Sequence, residues 1–95
     1  MEKGRIAHSS LFILRILRDQ PDIRIAAVAP TKVSKTAVGR NKLRRKIYEA
    51  VRIWRQIIIP GLHIVIFAKS VVLKATQKEI VVDLKDIFVK SKLLS

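Results

Sequence analysis

Residues 31–55, TKVSKTAVGRNKLRRKIYEAVRIWR, join an apolar helical stripe to a dense positive charge. Apolar side chains recur there three and four residues apart, the spacing of one helix face. They are Leu43, Ile47, Ala50, Val51 and Trp54. The same stretch holds nine of the chain's twenty Lys and Arg residues, against a single acid, Glu49. We therefore predict a helix over about residues 36–56 that packs on a core through one side and is strongly positive on the other.

The start of this predicted helix favours anions. The hydroxyl of Ser34 or Thr36 can accept a hydrogen bond from a free first-turn N–H and cap the helix. Lys35 and Arg40 then lie at the positive end of the helix dipole, which costs about 0.3–1 kcal/mol each. Free backbone N–H groups beside cationic side chains form an anion site. A solvated surface helix usually mixes charge signs, so a polyanionic partner is the better interpretation.

Length and composition predict one small domain over residues 1–95. The chain has 49% hydrophobic residues, a net charge of +13 and a pI near 11.1, which points to nucleic acid as the partner. It has no Cys, as expected in a reducing cytoplasm. The longest apolar run, residues 57–68, is interrupted by Pro60 and Gly61 and is shorter than the about 20 residues of a membrane span. We expect a soluble cytoplasmic protein.

Three apolar segments read as strands. Residues 10–17 are almost continuously apolar, which predicts a strand with both faces largely covered except at Arg15. Residues 23–29 predict a second strand paired with it as an antiparallel hairpin. Residues 62–68 predict a third strand. Residues 1–7 read as a loose lead-in, and residues 69–75 as a loop or a short strand.

A second helix completes the predicted order. Thr76 and Glu79 have the spacing of a capping box. The core stripe that follows consists of Ile80, Leu84, Ile87 and Phe88. The order β-β-α-β-α predicts an α+β fold, a sheet with helices packed on it.

The segment Arg40-Asn41-Lys42-Leu43-Arg44-Arg45, after a Lys-Val-Ser-Lys segment that begins at Lys32, resembles the signature of the protein subunit of bacterial ribonuclease P. That family has a basic helix with the pattern R-N-R-[IL]-[KR]-R. Five positions match this pattern, and only Lys42 exchanges one basic residue type for the other. The elements before and after the motif also resemble the family in their order, over about residues 5–94.

The resemblance implies a left-handed β-α-β crossover whose helix binds the catalytic RNA. In that family the RNA removes the 5′ leader of precursor tRNA, and the protein improves substrate binding and helps magnesium bind in the RNA. The resemblance thus implies no catalytic residue and no protein-bound metal or cofactor here, and we expect a monomer in the absence of RNA. The RNA-binding residues expected are Lys32, Lys35, Arg40, Asn41, Lys42, Arg44, Arg45, Tyr48 and Arg52. Of these, Tyr48 has two open interpretations, a base-stacking ring or a ring that shields arginine stems.

One departure from the family concerns the leader. The family usually begins with an amphipathic N-terminal helix bearing aromatic residues, and only residues 1–9 precede the first predicted strand here. That wall of the leader cleft is expected to be absent or rudimentary. The sheet residues Phe12 and Arg15 then become possible leader contacts, although core packing is favoured for Phe12. Residues 29–31, Ala-Pro-Thr, also replace a Ser-Lys-Lys run that is frequent in the family.

Two other functions would also suit a small basic protein. A structural RNA-binding protein of ribosomal type explains the size and charge equally well, and only the motif of residues 40–45 argues against it. A self-sufficient nuclease would need His8 and His63 to converge on one phosphate, and nothing in the sequence brings them together. Glu79, Asp83 and Asp86 are expected to balance neighbouring lysines, not to bind a divalent ion.

Overall fold

A computed structural model describes residues 4–95, and these form a four-stranded sheet with two helices. The strands are β1 (Arg5–His8), β2 (Phe12–Leu17), β3 (Arg24–Val28) and β4 (His63–Ala68). The helices are α1 (Ala37–Arg52) and α2 (Gln77–Lys90), with short 3-10 helices at Arg55–Ile57 and Ser70–Lys74. The α+β class expected from the sequence is confirmed. The 3-10 helix at Ser70–Lys74 lies in the segment for which the sequence predicts either a loop or a short strand.

The strand order is β1-β2-β4-β3, so the predicted β2–β3 hairpin is wrong. Strand β4 lies between the two, antiparallel to β2 and parallel to β3. Strand β3 becomes an edge, and β3, α1 and β4 form a parallel β-α-β unit.

The loose lead-in predicted for residues 1–7 is also wrong where the structure describes it. Residues Arg5–His8 form β1, which pairs antiparallel with β2 through Ile6↔Arg15 and Ala7↔Leu14. Residues 1–3 lie outside the described part of the chain. A four-residue polar strand has too weak a pattern to be recognised locally, and it is stabilised here by its partner strand.

Only one face of the sheet is covered by the core. In β2, Phe12, Leu14 and Ile16 are buried, whereas Arg15 is exposed and the other two side chains are half-buried. The exposure of Arg15 agrees with the sequence, but the predicted cover of both faces is only partial, because Ile13 and Leu17 on the second face are half-buried. Strand β4 alternates in the same way, with Ile64 and Ile66 buried. The name open face is used below for the uncovered side of the sheet, which presents Arg15 of β2 and Phe67 of β4.

Helix α1 begins at the cap that the sequence offered. The hydroxyl of Thr36 accepts a hydrogen bond from the N–H of Gly39 at 3.0 Å. A Cβ at Gly39 would collide with the Ser34 hydroxyl, so a side chain there would require that hydroxyl to move. The helix ends at Arg52, four residues before the predicted end, since Trp54 N–H bonds to the Val51 carbonyl three residues back at 3.1 Å and tightens the chain.

The core lies between the helices and the sheet. The α1 stripe of Leu43, Ile47, Ala50 and Val51 is buried, as predicted. Helix α2 has the predicted capping box at Thr76, and all four residues of its expected stripe are buried. Trp54 is 4% exposed and meets Phe88 edge to face at 5.8 Å between ring centroids, so its assignment to the core is confirmed.

Truncation of Leu43 tests the anchoring face of α1. Leu43→Ala is expected to lower the free energy of unfolding by about 2–5 kcal/mol, because it removes buried methyl groups and leaves a cavity. Val38→Ala is the matched control on the same helix, since Val38 is 71% exposed, and it is expected to change stability by less than about 0.5 kcal/mol. Urea unfolding followed by far-UV circular dichroism measures both. Equal losses would contradict the assignment of the two faces.

Candidate nucleic-acid interface

The predicted RNA-binding residues share one surface, formed by α1 and the loop before it. Lys32 and Lys35 are exposed in that loop. On α1 the exposed members are Asn41, Lys42, Arg45, Tyr48 and Arg52, and the half-buried members are Arg40 and Arg44. The name basic face is used below for these nine residues. The structure agrees with the prediction that these side chains lie away from the buried apolar stripe. Their role in RNA binding stays a prediction.

Arg40 has a structural contact within the basic face. One guanidinium nitrogen donates to the Ser34 carbonyl at 3.1 Å, and this bond joins α1 to the loop that carries Lys35. The side chain is only half-buried, so the rest of its guanidinium remains available. Arg40 therefore orders the entry to the helix while it contributes charge. Sequence reasoning missed this contact, because it depends on how the loop folds back.

The positive charge of the basic face is largely unneutralised. Within residues 4–95, the one ion pair on α1 joins Arg52 to Glu49 at 3.1 Å, and both side chains are more than half exposed. Exposed pairs of this kind contribute only about 0–1 kcal/mol. Arg44 donates to the side-chain oxygen of Asn41, which fixes the amide without neutralising the arginine. The face is thus suited to bind phosphates.

Tyr48 connects the basic face to the sheet. Its hydroxyl oxygen accepts a hydrogen bond from the Ala27 N–H of edge strand β3 at 2.9 Å. The ring remains 44% exposed. Together with Asn41, Arg44, Arg45, Glu49 and Arg52 it lines a shallow depression of about 380 Å³.

The structure separates the two possible leader contacts, since it buries Phe12 and leaves Arg15 exposed. Phe12 is fully buried on the opposite, helix-covered side of the sheet, so the structure excludes it as a surface contact. Arg15 is exposed on the open face, between its strand partners Ile6 and Val65. Phe67 is half-buried on this same face, with Ile13 as its partner in β2. Strand alternation placed Phe12 and Phe67 on opposite sides, but the sequence did not show which side the helices cover.

A charged cluster lies at one end of the open face. Asp22 accepts a hydrogen bond from Arg24 at 3.0 Å and lies 2.7 Å from Nε2 of His63. The hydrogen bond with His63, and then that with Arg24, lowers the pKa of the Asp22 carboxyl below its ordinary value of 3.8. The carboxylate therefore offsets part of the positive charge at this end of the sheet.

The structure keeps the two histidines apart. His8 of β1 pairs with Ile13 of β2, and His63 of β4 pairs with Leu17 on the other edge of β2. Ile13 and Leu17 are four positions apart, so the two histidines are offset by about 13 Å along the strand direction. No general acid and base can act on one phosphate at that separation.

The described residues also form no metal cluster and no membrane span. Within residues 4–95, no group of three or more His, Cys, Asp or Glu side chains is placed to hold a metal ion. Asp83 instead accepts hydrogen bonds from Ser9 and Leu11, and Asp86 pairs with Lys90 at 3.1 Å. No helix in this part of the chain is both long and apolar enough to cross a membrane.

Truncating Arg40 and Arg45 compares an arginine that is hydrogen-bonded within the protein with one that is not. Arg40→Ala is expected to lower the free energy of unfolding by about 0.5–1.5 kcal/mol, because the Ser34 carbonyl loses its donor. Arg45→Ala is expected to change it by less than about 0.5 kcal/mol, since the exposed Arg45 side chain has no hydrogen-bond partner among residues 4–95. Urea titrations of the two variants measure the difference. A larger loss for Arg45→Ala would refute these assignments.

Acid unfolding tests the Asp22 cluster. A carboxyl whose folded-state pKa is lowered stabilises the fold above its unfolded pKa, and this stability is lost as the pH falls through the folded value. The wild type is therefore expected to exceed Asp22→Asn in stability above about pH 4, with the gap closing at lower pH. Denaturant midpoints measured from pH 2.5 to 6 report it. A gap that widens on acidification would have the wrong sign.

The sequence matches known proteins over almost its full length. The profile of the family described as Ribonuclease P matches residues 1–92. A ribonuclease P protein component of Pseudanabaena sp. is 35% identical over 94 residues, which cover 97% of this chain and 81% of that protein. The corresponding protein of Rippkaea orientalis is 29% identical over a 99-residue alignment that covers 98% and 78% of the two chains.

Solved structures share the fold. The ribonuclease P protein of Staphylococcus aureus superposes with a TM-score of 0.82 at 21% identity, covering 97% of this chain and 84% of that one. The protein of Thermotoga maritima gives a TM-score of 0.82 at 20% identity, covering 93% and 84%. At these identities the structures show the fold, and the profile and the cyanobacterial relatives show the family. The chain belongs to the ribonuclease P protein family, as the protein subunit of that endoribonuclease.

Proposed function

We propose that the basic face of α1 binds the RNA of ribonuclease P and that residues 1–95 act as one RNA-binding domain. The observation that carries this proposal is the separation of faces on one helix. Leu43 and Ile47 are at most 5% exposed, whereas Arg45 and Arg52 point to solvent with little acidic compensation. An A-form RNA duplex hides its base edges in a deep groove, so these arginines act mainly on phosphates and on RNA shape.

Precursor tRNA is the second partner of this proposal. The open face offers Arg15 for phosphate and the half-buried Phe67 for a base, on the side of the sheet opposite the helices. A 5′ leader bound there would lie apart from the catalytic RNA on α1. The protein would thereby help the holoenzyme hold its substrate while the RNA performs the cleavage.

Magnesium, oligomeric state and compartment follow from the same proposal. The carboxylates of residues 4–95 form no metal-binding group, so we assign the magnesium ions of the reaction to sites in the RNA. A net charge of +13 favours a monomer before RNA binds, because like charges repel. The absence of Cys from the sequence agrees with a cytoplasmic location.

Reconstitution with ribonuclease P RNA tests the proposal. The purified protein alone is expected to leave precursor tRNA intact, and the RNA with the protein is expected to process it faster than the RNA alone at low magnesium. Binding to the RNA should weaken with salt at a log–log slope of about −4 to −5, as for five or six phosphate contacts. Arg45→Ala should reduce the magnitude of that slope by about 1.

A charge-matched control is available outside α1. Lys74→Ala removes one exposed positive charge from the 3-10 helix after β4, and we expect it to leave the slope unchanged. If both variants reduce the magnitude of the slope equally, binding depends on the overall charge of the protein and not on the basic face. Cleavage of precursor tRNA by the protein alone would contradict the absence of a catalytic residue.

A further inference from the structure

Tyr48 is the most exposed aromatic side chain among residues 4–95. Its ring is 44% exposed, whereas Trp54, Phe12 and Phe88 are at most 4% exposed and Phe67 is half-buried. Burial of an aromatic ring is worth more than burial of most side chains, so an exposed one on a packed helix needs a reason. The position of Tyr48 among the arginines of α1 suggests that the reason is a ligand.

The ring is held at both ends. Its Cβ is fixed on α1, and its hydroxyl oxygen accepts the Ala27 N–H of β3 at 2.9 Å. Strand β3 is an edge strand, so without Tyr48 this N–H would face solvent. A ring anchored in this way has lost its freedom before any ligand arrives, and preorganisation of that kind lowers the entropic cost of binding.

The surroundings of the ring are positive and concave. The depression of about 380 Å³ is lined by Arg44, Arg45 and Arg52 as well as by Tyr48, and its one acid, Glu49, is paired with Arg52. This shallow depression leaves one face of the Tyr48 side chain accessible between the arginines, where a single planar group can lie. The ligand must therefore combine a flat, stackable group with negative charge.

We propose that the Tyr48 depression receives one unpaired nucleotide of the ribonuclease P RNA, with its base stacked on the Tyr48 ring and its flanking phosphates on Arg45 and Arg52. This inference rests on the proposed function and adds to it the kind of RNA element that is bound. Bases inside an A-form helix are inaccessible to a side-chain ring, whereas a base in a loop or bulge offers its whole face. Stacking does not select among the four bases, so the site recognises an unpaired position and not a sequence.

Two substitutions of Tyr48 separate stacking from a structural role. Tyr48→Leu keeps apolar bulk but removes the ring, and it is expected to weaken binding to the ribonuclease P RNA by about 5- to 100-fold. Its salt slope should stay that of the wild type, because no charge is lost. Tyr48→Phe keeps the ring and loses only the bond to Ala27, so it should bind far more tightly than Tyr48→Leu. Val89→Ala, which truncates a 54% exposed side chain on α2, controls for the loss of exposed apolar surface.

A spectroscopic measurement complements the affinities. Tyr48 is the only tyrosine in the chain, so protein made with 3-fluorotyrosine gives a single fluorine resonance from this site. Binding of the RNA is expected to shift that resonance, while a fully paired RNA duplex at equal phosphate concentration should shift it much less.

The outcomes distinguish this inference from the proposed function. Wild-type affinity of Tyr48→Leu, or an unmoved resonance in the saturated complex, would overturn the stacking site and leave RNA binding by the basic face intact. Equal loss in Tyr48→Leu and Tyr48→Phe, with matching losses of stability in urea, would show that the residue acts only through its bond to β3. Failure of the wild type itself to bind the RNA would instead refute the proposed function.

Discussion

The burial of one side of α1 is the constraint on which the basic face depends. Burying Leu43 and Ile47 stabilises the fold by about 1.5–3 kcal/mol for each side chain, whereas a cation at the wrong end of a helix costs about 0.3–1 kcal/mol. The apolar contacts therefore decide how the helix is rotated about its axis. Because the helical period is fixed, that rotation also directs Arg45 and Arg52 into solvent.

The two helices follow opposite electrostatic rules at their N-termini. Helix α2 has a complete capping box with Glu79 in its first turn and Lys90 in its last, and both charges suit the helix dipole. Helix α1 has no acid in its first turn and relies on the Thr36 cap, with Arg40 close behind. A local rule that is kept in one helix and broken in the other is typical of a functional element, and the RNA phosphates of the proposed function would compensate the cost.

The central position of β4 gives the protein two separate surfaces. With β4 between β2 and β3, Ile64 and Ile66 join the buried stripes of both helices in one core, and the other side of the sheet remains open. The parallel β3–α1–β4 unit also brings α1 beside the free edge of β3, where Ala27 can hold Tyr48. RNA on α1 and RNA on the open face would thus be bound on different sides of the same core.

The sequence by itself determined the features that depend on neighbours three or four residues apart. These include the apolar stripe and the Thr36 cap of α1, the capping box of α2 and the outward position of the arginines, all set by helical periodicity. The basic motif also identified the family, because its residue types are specific even where Lys and Arg are exchanged. The length of α1 was overestimated, since the tightening after Val51 depends on how Trp54 packs.

Only the tertiary structure decided which strands are neighbours and which face of each strand is covered. Alternation in β2 and β4 puts Phe12 and Phe67 on opposite sides, but a single strand does not reveal the side on which the helices lie. The insertion of β4 between β2 and β3, the pairing of β1 and the contacts Tyr48–Ala27 and Arg40–Ser34 are likewise non-local. These contacts form only when segments distant in sequence, or a loop that folds back, pack around the core. No local sequence pattern predicts which segments will come into contact.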